Sequence, residues 1–417
     1  MYCLLPSAYC LLLCPFAGGG AAVYKARVAF FIYTTAGFVL LALIIFDIYA
    51  TVLHSSARYG PVGESLNRSV WRVTRAVSFR LTRANRHRLL NMVGPLLLPL
   101  LIAVYIVLLI LSFALVYYPH IPSGFTFGVA HPEPGWVDAF YFSGVALTTV
   151  GYGDVVPREA PLRFIALFES ASGLVVISLA ITYMLTVYTA LERKRAVAVS
   201  LYHQAGQGAD VAGFIAHHFV EGRFYGLRDA LRTVTRDLQG LLESHIDHPV
   251  IHYFHPVEVH KGTPRVLFIL LETCAVIRAA LDREQNADLR NYPEVRTLDS
   301  ASRYVLTQLV SSLDLERRER PRRRTPREAE EDESRWRRRY DDTVARLKEA
   351  GIGVREDTEQ GWEEYRAQRE DWESKLQRLS LHLGYDWDEV TGDRDLEYAA
   401  DEKKEEPRAA RTVDSRQ

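Results

Sequence analysis

Three long runs that are almost free of charged residues constrain the fold of this chain more than any other feature. Val28 to Phe46 and Met92 to Tyr118 contain no charged residue, and Phe164 to Leu191 contains only Glu169. A helix of about 20 apolar residues crosses a hydrocarbon core about 30 Å thick. A helix also satisfies its own backbone hydrogen bonds, which lipid cannot do. The sequence therefore predicts an all-α membrane protein with three transmembrane helices.

Basic residues that flank these runs predict the orientation of the helices. The segment from residue 54 to residue 91, between the first two apolar stretches, has one acid, Glu64, and a series of arginines: Arg58, Arg68, Arg72, Arg75, Arg80, Arg83, Arg86 and Arg88. Arg193, Lys194 and Arg195 follow the third run. Because basic residues are retained on the cytoplasmic side, both segments are predicted to be cytoplasmic. The chain is thus expected in the cell membrane as a multi-pass protein with a cytoplasmic C-terminal region.

The second half of the chain has the composition of a soluble helical region. The chain contains 50 basic and 51 acidic residues, so its overall charge is balanced. Leu227, Leu231, Val234 and Leu238 recur at helical intervals, and Val266 to Leu281 predicts a buried helix. Because acids balance the bases in the charge runs from Glu316 onward, these runs do not predict a nucleic-acid site.

Nothing in this half predicts a cofactor or an enzyme. Gly206, Gly208 and Gly213 lack the spacing of a dinucleotide-binding loop, and no predicted strand precedes them. Neither zinc spacing nor a disulfide framework is present among the four cysteines, which are Cys3, Cys10, Cys14 and Cys274. We therefore expect no cofactor and no bond-making chemistry.

A glycine-containing loop, Thr148-Thr149-Val150-Gly151-Tyr152-Gly153-Asp154, lies between the second and third runs. Left-handed backbone angles that alternate along a loop point successive carbonyls the same way, and glycine adopts such angles at little cost. Four copies on one axis can replace the water shell of a potassium ion with these carbonyls. The alternative interpretation is a glycine-rich surface turn.

With this loop between two apolar runs, residues 92–192 resemble the potassium channel pore family. The resemblance implies that Trp136 to Leu147 forms a re-entrant pore helix and that a selectivity filter follows it. The ion ligands would be the main-chain carbonyls of Thr149, Val150, Gly151 and Tyr152, with the Thr149 hydroxyl at the inner end. The residues that support the filter would be Thr148, Gly153 and Asp154, the last of them at the outer mouth.

One filter loop per chain predicts a homotetramer, because the axis needs four loops and closed cyclic symmetry brings them together. The function that follows is passive conduction of K⁺ as the transported ion. Two alternatives remain open. In the first, the membrane part only anchors a cytoplasmic signalling or scaffold protein. In the second, the filter is relaxed and the channel conducts cations without selecting K⁺.

The third run contains two further candidate residues. Gly173 falls where the resemblance implies a gating hinge, and close packing of small residues is the alternative. Glu169 is a carboxylate within the membrane, which marks it as a functional candidate. It either faces the ion cavity or hydrogen-bonds to the pore helix, and we favour the second arrangement.

The basic segment between the first two runs has two interpretations. Arginines at intervals of three, such as Arg80, Arg83 and Arg86, are typical of voltage-sensing helices. One preceding span leaves too few helices to surround a sensor. We therefore favour contact with anionic lipid over the stretch Arg68–Arg88. In that arrangement the apolar side chains that dip into the membrane are Trp71, Val77, Phe79 and Leu81.

Five histidines cluster between His245 and His260. Imidazole binds zinc and titrates near neutral pH, so a metal or proton sensor is one interpretation. Pro249 and Pro256 interrupt the helix that would align the rings, and no cysteine accompanies them. We therefore favour histidines scattered through a loop.

These patterns divide the chain into predicted segments. Residues 1–27 form an apolar N-terminal segment without an assigned role, and the tail at 392–417 is predicted to be disordered. The remaining segments are a first transmembrane helix (28–53), a basic cytoplasmic linker (54–91), the pore domain (92–192), a helical cytoplasmic domain (193–312), a charged linker (313–335) and a helical or coiled segment (336–391).

Overall fold

A computed structural model describes residues 20–53, 60–128, 135–206, 208–315 and 326–392. Three helices in this part of the chain are long and apolar enough to cross a membrane. The predicted class, an all-α membrane protein, is therefore confirmed. Several predictions lie outside the described residues: the segment up to residue 19 with its three cysteines, Arg58, residues 316–325 of the charged linker, and the tail from residue 393.

The first half of the chain contains the three long helices and one short apolar helix. In chain order its elements are α1 (Gly20–Ile48) with a π-helical turn (Tyr49–Leu53), α2 (Pro61–Ser78), α3 (Arg83–Tyr117), β1 (Phe125–Phe127), α4 (Trp136–Leu147), β2 (Val155–Pro157) and α5 (Ala160–Gln204). Helix α3 begins at Arg83 rather than Met92, and α5 continues past Leu191, so both helices extend beyond the charge-free runs.

The chain divides into two compact units, and the first comprises residues 1–68 and 96–186. Its apolar core joins α1, α3, α4 and the first part of α5 through residues such as Ile44, Leu109, Phe113 and Phe142. Gly37 lets α1 approach α3 closely, because a Cβ atom there would lie 2.7 Å from the backbone oxygen of Ser112.

Asp47, near the end of α1, is a buried polar anchor of this unit. Its carboxylate accepts hydrogen bonds from the backbone N–H of Val62 (2.9 Å) and from the hydroxyl of Tyr105 (2.7 Å). The Gly63 N–H also donates to it, at 3.3 Å. The carboxylate thus satisfies free N–H groups at the start of α2, which a helix cannot satisfy internally.

The second unit comprises residues 69–95 and 187–417. Its further elements are α6 (Val211–His217), β3 (Phe219–Val220), β4 (Arg223–Phe224), α7 (Leu227–Asp247), 3₁₀ turns (Pro249–Tyr253 and Val259–Lys261), α8 (Thr263–Ala279), α9 (Ala287–Asn291), α10 (Pro293–Ser312), α11 (Pro326–Glu349), α12 (Thr358–His382) and α13 (Trp387–Thr391). Helix α8 is buried along almost its whole length, as the apolar run from Val266 predicts.

Helices α11 and α12 belong to the same apolar core as α8. Trp336, Tyr340, Tyr365 and Trp372 are all at most 1% exposed and lie in this core. Tyr365 also donates a hydrogen bond to Glu272 of α8. The segment predicted at 336–391 is therefore part of the core of the second unit, and α11 begins at Pro326, inside the predicted linker.

Candidate functional site

Helix α4 is a short apolar helix that ends at the glycine-containing loop. At its start, the Asp138 carboxylate accepts a hydrogen bond from the Gly135 N–H at 2.8 Å. At its end, the Thr148 hydroxyl donates to the Gly144 carbonyl at 2.6 Å. With 12 residues the helix is too short to cross a bilayer. Its C-terminus carries the partial negative charge of the helix dipole, which is favourable to a cation.

The sign of the backbone φ angle alternates along the loop. Thr149, Gly151 and Gly153 have φ angles of +60°, +59° and +75°, whereas Val150 and Tyr152 between them do not adopt positive φ. A positive φ costs a non-glycine residue about 1–2 kcal/mol. Two hydrogen bonds hold the first part of the loop in place: the Thr149 N–H donates to the Ala146 carbonyl and the Val150 N–H to Val145, each at 3.1 Å.

Four consecutive main-chain carbonyls of this loop are left without a donor. No hydrogen bond to the carbonyl oxygens of residues 149–152 is found from the described part of the chain. The loop is also open to its surroundings, with Val150 53% and Tyr152 71% exposed. Main-chain carbonyls in such an arrangement can coordinate a cation.

Asp154 closes the far end of the loop. Its carboxylate accepts a hydrogen bond from the Tyr141 hydroxyl of α4 at 2.8 Å. Its carbonyl accepts the N–H of Gly128 at 2.7 Å, next to the antiparallel pair formed by β1 and β2. Both ends of the loop are thus fixed to neighbouring elements of the first unit.

Glu169 of α5 is fully buried and bridges two other helices. Its carboxylate accepts a hydrogen bond from the Tyr117 hydroxyl of α3 at 2.7 Å. It also accepts one from the hydroxyl of Ser143 in α4, which lies 3.0 Å from the Ile110 carbonyl as well. These hydrogen bonds hold α4 against α3 and α5, and a role of Glu169 in ion passage stays a prediction.

Gly173 lies where α5 packs against the end of α4. A Cβ atom at this position would overlap the carbonyl oxygen of Leu147, the last residue of α4. Helix α5 is continuous through Gly173. Close packing therefore accounts for the glycine in this structure, and its role as a hinge stays a prediction.

Replacing Gly173 by alanine is expected to displace α4 and to lower the stability of the first unit by about 1–3 kcal/mol, because the added methyl group has no space. Gly144→Ala is the matched control, since a Cβ atom there meets only Ile110 at an ordinary 3.8 Å. Hydrogen exchange of peptides from residues 136–147 measures the effect. Wild-type protection in Gly173→Ala, combined with reduced opening, would favour the hinge instead.

Two arginines of the basic segment pair with acids. Arg83 and Arg86, at the start of α3, form ion pairs with Asp386 at 2.8 Å and 2.7 Å. Arg86 is only 5% exposed and also lies 3.5 Å from Glu389. These two arginines are engaged by acids of the second unit, so the predicted lipid contact does not fit them.

The position of Trp71 also disagrees with the predicted lipid contact. Its side chain is 3% exposed, and its indole N–H donates to the His382 carbonyl at 3.3 Å. The ring packs against Tyr253 rather than dipping into lipid. Val77, Phe79 and Leu81 are exposed, as the lipid interpretation requires.

The histidine cluster is mostly a core feature rather than a loop feature. His245 lies in α7, and His245, His252 and His255 are all buried, because the 3₁₀ turn at 249–253 folds back onto the core. His255 Nε2 lies 2.7 Å from Nδ1 of His87, whose Nε2 is 3.1 Å from Glu389. No cluster able to hold a metal ion was found within the described ranges.

These buried imidazoles predict a loss of stability in acid. Burial lowers the pKa values of His245 and His255 to about 3 and lowers that of His252 as well. Below a pH of about 6.5 the unfolded chain takes up protons that the folded chain excludes. Each histidine therefore removes about 1.4 kcal/mol of stability per pH unit as the pH falls.

Hydrogen exchange of residues 227–255 in the full chain, between pH 7 and pH 5, measures this effect. We expect local unfolding to become easier over that range, and the dependence on pH to be shallower in His252→Phe. Exchange with the same opening free energy at both pH values would show that the imidazoles are protonated in the folded state.

A comparison with protein families points to the same region of the chain. A protein-family model described as an ion channel matches residues 105–190, which run from α3 through the loop into α5. The chain is similar to the "uncharacterized membrane protein YdjJ" of Bacillus subtilis (strain 168), with 25% identity over 266 residues. That similarity covers 64% of this chain and 75% of the relative.

Two shorter similarities are to potassium channels. "Two-pore potassium channel 1" of Arabidopsis thaliana is 38% identical over 77 residues, which cover 18% of this chain and 20% of that protein. "Potassium channel protein kcv" of Paramecium bursaria Chlorella virus 1 is 39% identical over 55 residues, or 12% of this chain and 58% of that protein. No solved structure matches the chain. The chain thus contains a region that matches an ion-channel family, with weak similarity to potassium channels.

Proposed function

We propose that four copies of this chain form a potassium-selective channel that conducts K⁺ passively. The observation that carries the proposal is the row of donor-free carbonyls at residues 149–152, on a backbone whose φ angles alternate in sign. The family match at residues 105–190 and the similarity to two potassium channels support it. Thr149, Val150, Gly151 and Tyr152 would supply the ion ligands.

The homotetramer is part of this proposal, and the geometry of one chain supports it. One loop offers carbonyls from one side only, whereas a dehydrated cation needs ligands all around it. Cyclic symmetry with four copies supplies them and also covers the exposed side chains of Val150 and Tyr152. Helix α4 of each copy would then direct its C-terminus toward the ion path.

Further features support a cytoplasmic second unit in contact with the membrane surface. Basic residues flank the spans on the side from which this unit emerges, which favours a cytoplasmic location. Arg72 and Arg80 are exposed beside the apolar side chains of Val77, Phe79 and Leu81. We propose that this surface contacts anionic lipid. We assign no cofactor, nucleic acid or enzymatic reaction to the chain.

A flux assay tests the proposed function. Purified full chain in vesicles loaded with K⁺ is expected to release K⁺ down its gradient, and to release Na⁺ far more slowly from vesicles loaded with Na⁺. Equal release of both ions would favour a non-selective channel. No release of either ion would favour the membrane-anchored scaffold.

A further inference from the structure

Lys194, in the C-terminal part of α5, is a buried cation for which the described part of the chain provides no counterion. Its side chain is only 8% exposed. No carboxylate lies within ion-pair distance of its ammonium group in the ranges that the structure describes. Lysines are almost never this buried unless they are paired, because an uncompensated buried charge is costly. The position therefore calls for a negative charge that the described residues do not supply.

The groups around Lys194 do not supply that charge. Arg195, the charged group that acts on the Lys194 pKa, is another cation and lowers that pKa further. His245, His252 and His255 also lie close enough to sense its charge, which adds to burial in lowering their pKa values. These imidazoles are therefore neutral near pH 7, and none of them offsets the ammonium group.

A cavity of about 70 Å³ opens beside Lys194 within the second unit. One water molecule needs about 10–15 Å³ of such space, so the cavity has room for a group of several heavy atoms. Its polar lining is Asn91, Lys194, Arg195, His255 and Lys261. Lys261 also pairs with the exposed Glu258 at 3.1 Å, whereas the Asn91 amide donates to the His255 carbonyl. Phe254 and Leu191 form part of the apolar wall.

We propose that this cavity is a binding site for a phosphate group, held by Lys194 with Arg195 and Lys261. Ammonium and guanidinium groups bind phosphate oxygens through charge-assisted hydrogen bonds. The phosphate is either the headgroup of an anionic phospholipid or a soluble phosphate ion. A headgroup has access because Lys194 follows the predicted end of the span at Leu191. The apolar wall suits the first carbons of its lipid chain.

Thermal unfolding of the full chain tests the site in two arms. In the first, nanodiscs of phosphatidylcholine receive inorganic phosphate, with chloride at the same ionic strength as the reference. In the second, phosphatidylglycerol is added to the nanodiscs and the buffer contains no phosphate. The variants are Lys194→Met, which keeps the length of the side chain, and Lys348→Met, a matched control at an exposed lysine of α11.

Without either anion, Lys194→Met is expected to unfold about 2 °C or more above the wild type, because it removes a buried unpaired charge. Phosphate or phosphatidylglycerol should raise the midpoint of the wild type saturably. Lys194→Met should lose that response, and Lys348→Met should keep it. A response in the first arm alone identifies soluble phosphate, and one in the second alone identifies a lipid headgroup.

Two results would overturn the site: no saturable response of the wild type in either arm, or the same response in Lys194→Met. Lower stability of Lys194→Met in anion-free nanodiscs would also count against it, since it would mean that the chain itself compensates the charge. These readouts are independent of ion conduction. The phosphate site can therefore be disproved while the channel proposal stands, and the channel proposal can be disproved while the phosphate site stands.

Discussion

Replacing Gly151 by alanine is expected to reduce K⁺ flux by roughly a hundredfold or more and to leave the assembled protein intact. Gly151 has a φ of +59°, and a side chain there costs about 1–2 kcal/mol in each copy. In the proposed tetramer, four copies add up to about 4–8 kcal/mol, which is enough to remove the proposed filter conformation from the population. Among the described residues of one copy, a Cβ atom at Gly151 meets nothing within 4 Å, so the cost within one chain is backbone strain.

Gly240→Ala is the matched control for this experiment. Gly240 lies within α7 without positive φ, and a Cβ atom there also meets nothing within 4 Å. Alanine in a helix interior is about 1 kcal/mol better than glycine. The control should therefore conduct like the wild type and be at least as stable. Normal, K⁺-selective flux in Gly151→Ala would mean that these carbonyls do not line the ion path.

Replacing Glu169 by alanine is expected to destabilise the first unit by about 2–5 kcal/mol and to disrupt assembly. The change removes the acceptor of the buried Tyr117 hydroxyl and one acceptor of the Ser143 hydroxyl. Each buried polar group left without a hydrogen bond costs about 1–3 kcal/mol. It also leaves a cavity between α3, α4 and α5. Thermal unfolding and size-exclusion chromatography of the purified protein measure both effects.

Two variants separate the bridging role of Glu169 from a role of its charge. Glu169→Gln keeps a side chain that can bond to both hydroxyls, so it should retain most of the stability. Glu192→Ala removes an exposed acid from the same helix and should have little effect. If Glu169→Gln loses as much stability as Glu169→Ala, the charge matters more than the bridge.

The transmembrane helices and the glycine-containing loop could be predicted because both depend on local sequence. A charge-free run of sufficient length has few alternatives to a membrane helix. The two glycines of the loop predict left-handed backbone angles, and Gly151 and Gly153 adopt positive φ, whereas the positive φ of Thr149 was not predicted. In both cases a few adjacent residues determine the backbone.

Polar contacts between distant segments could not be predicted in this way. Asp47 and Tyr105 are 58 positions apart, and Arg86 and Glu389 are 303 apart, so no local pattern connects them. The charge of Asp47 at the end of an apolar helix was the one visible signal. Lys194 appeared to be one of three flanking basic residues, and the sequence did not reveal that it is the buried one.

Charge density alone left the structure undecided at two places for a physical reason. The highly charged start of α11 was compatible with a linker or an exposed helix, because a helix can present many charges on its exposed face while Trp336 and Tyr340 pack inward. The excess of arginines in the basic segment favoured lipid contact over the stretch Arg68–Arg88. Arg83 and Arg86 instead meet acids of α13 and its preceding residue, which are far away in the sequence.

The most direct test of the central claim is the reversal potential of purified full chain in a planar bilayer with opposed gradients of K⁺ and Na⁺. If the carbonyls at residues 149–152 bind dehydrated K⁺, current will reverse close to the equilibrium potential of K⁺ and will follow changes in the K⁺ gradient alone. A reversal potential midway between those of the two ions, or one that follows the Na⁺ gradient equally, would contradict the claim.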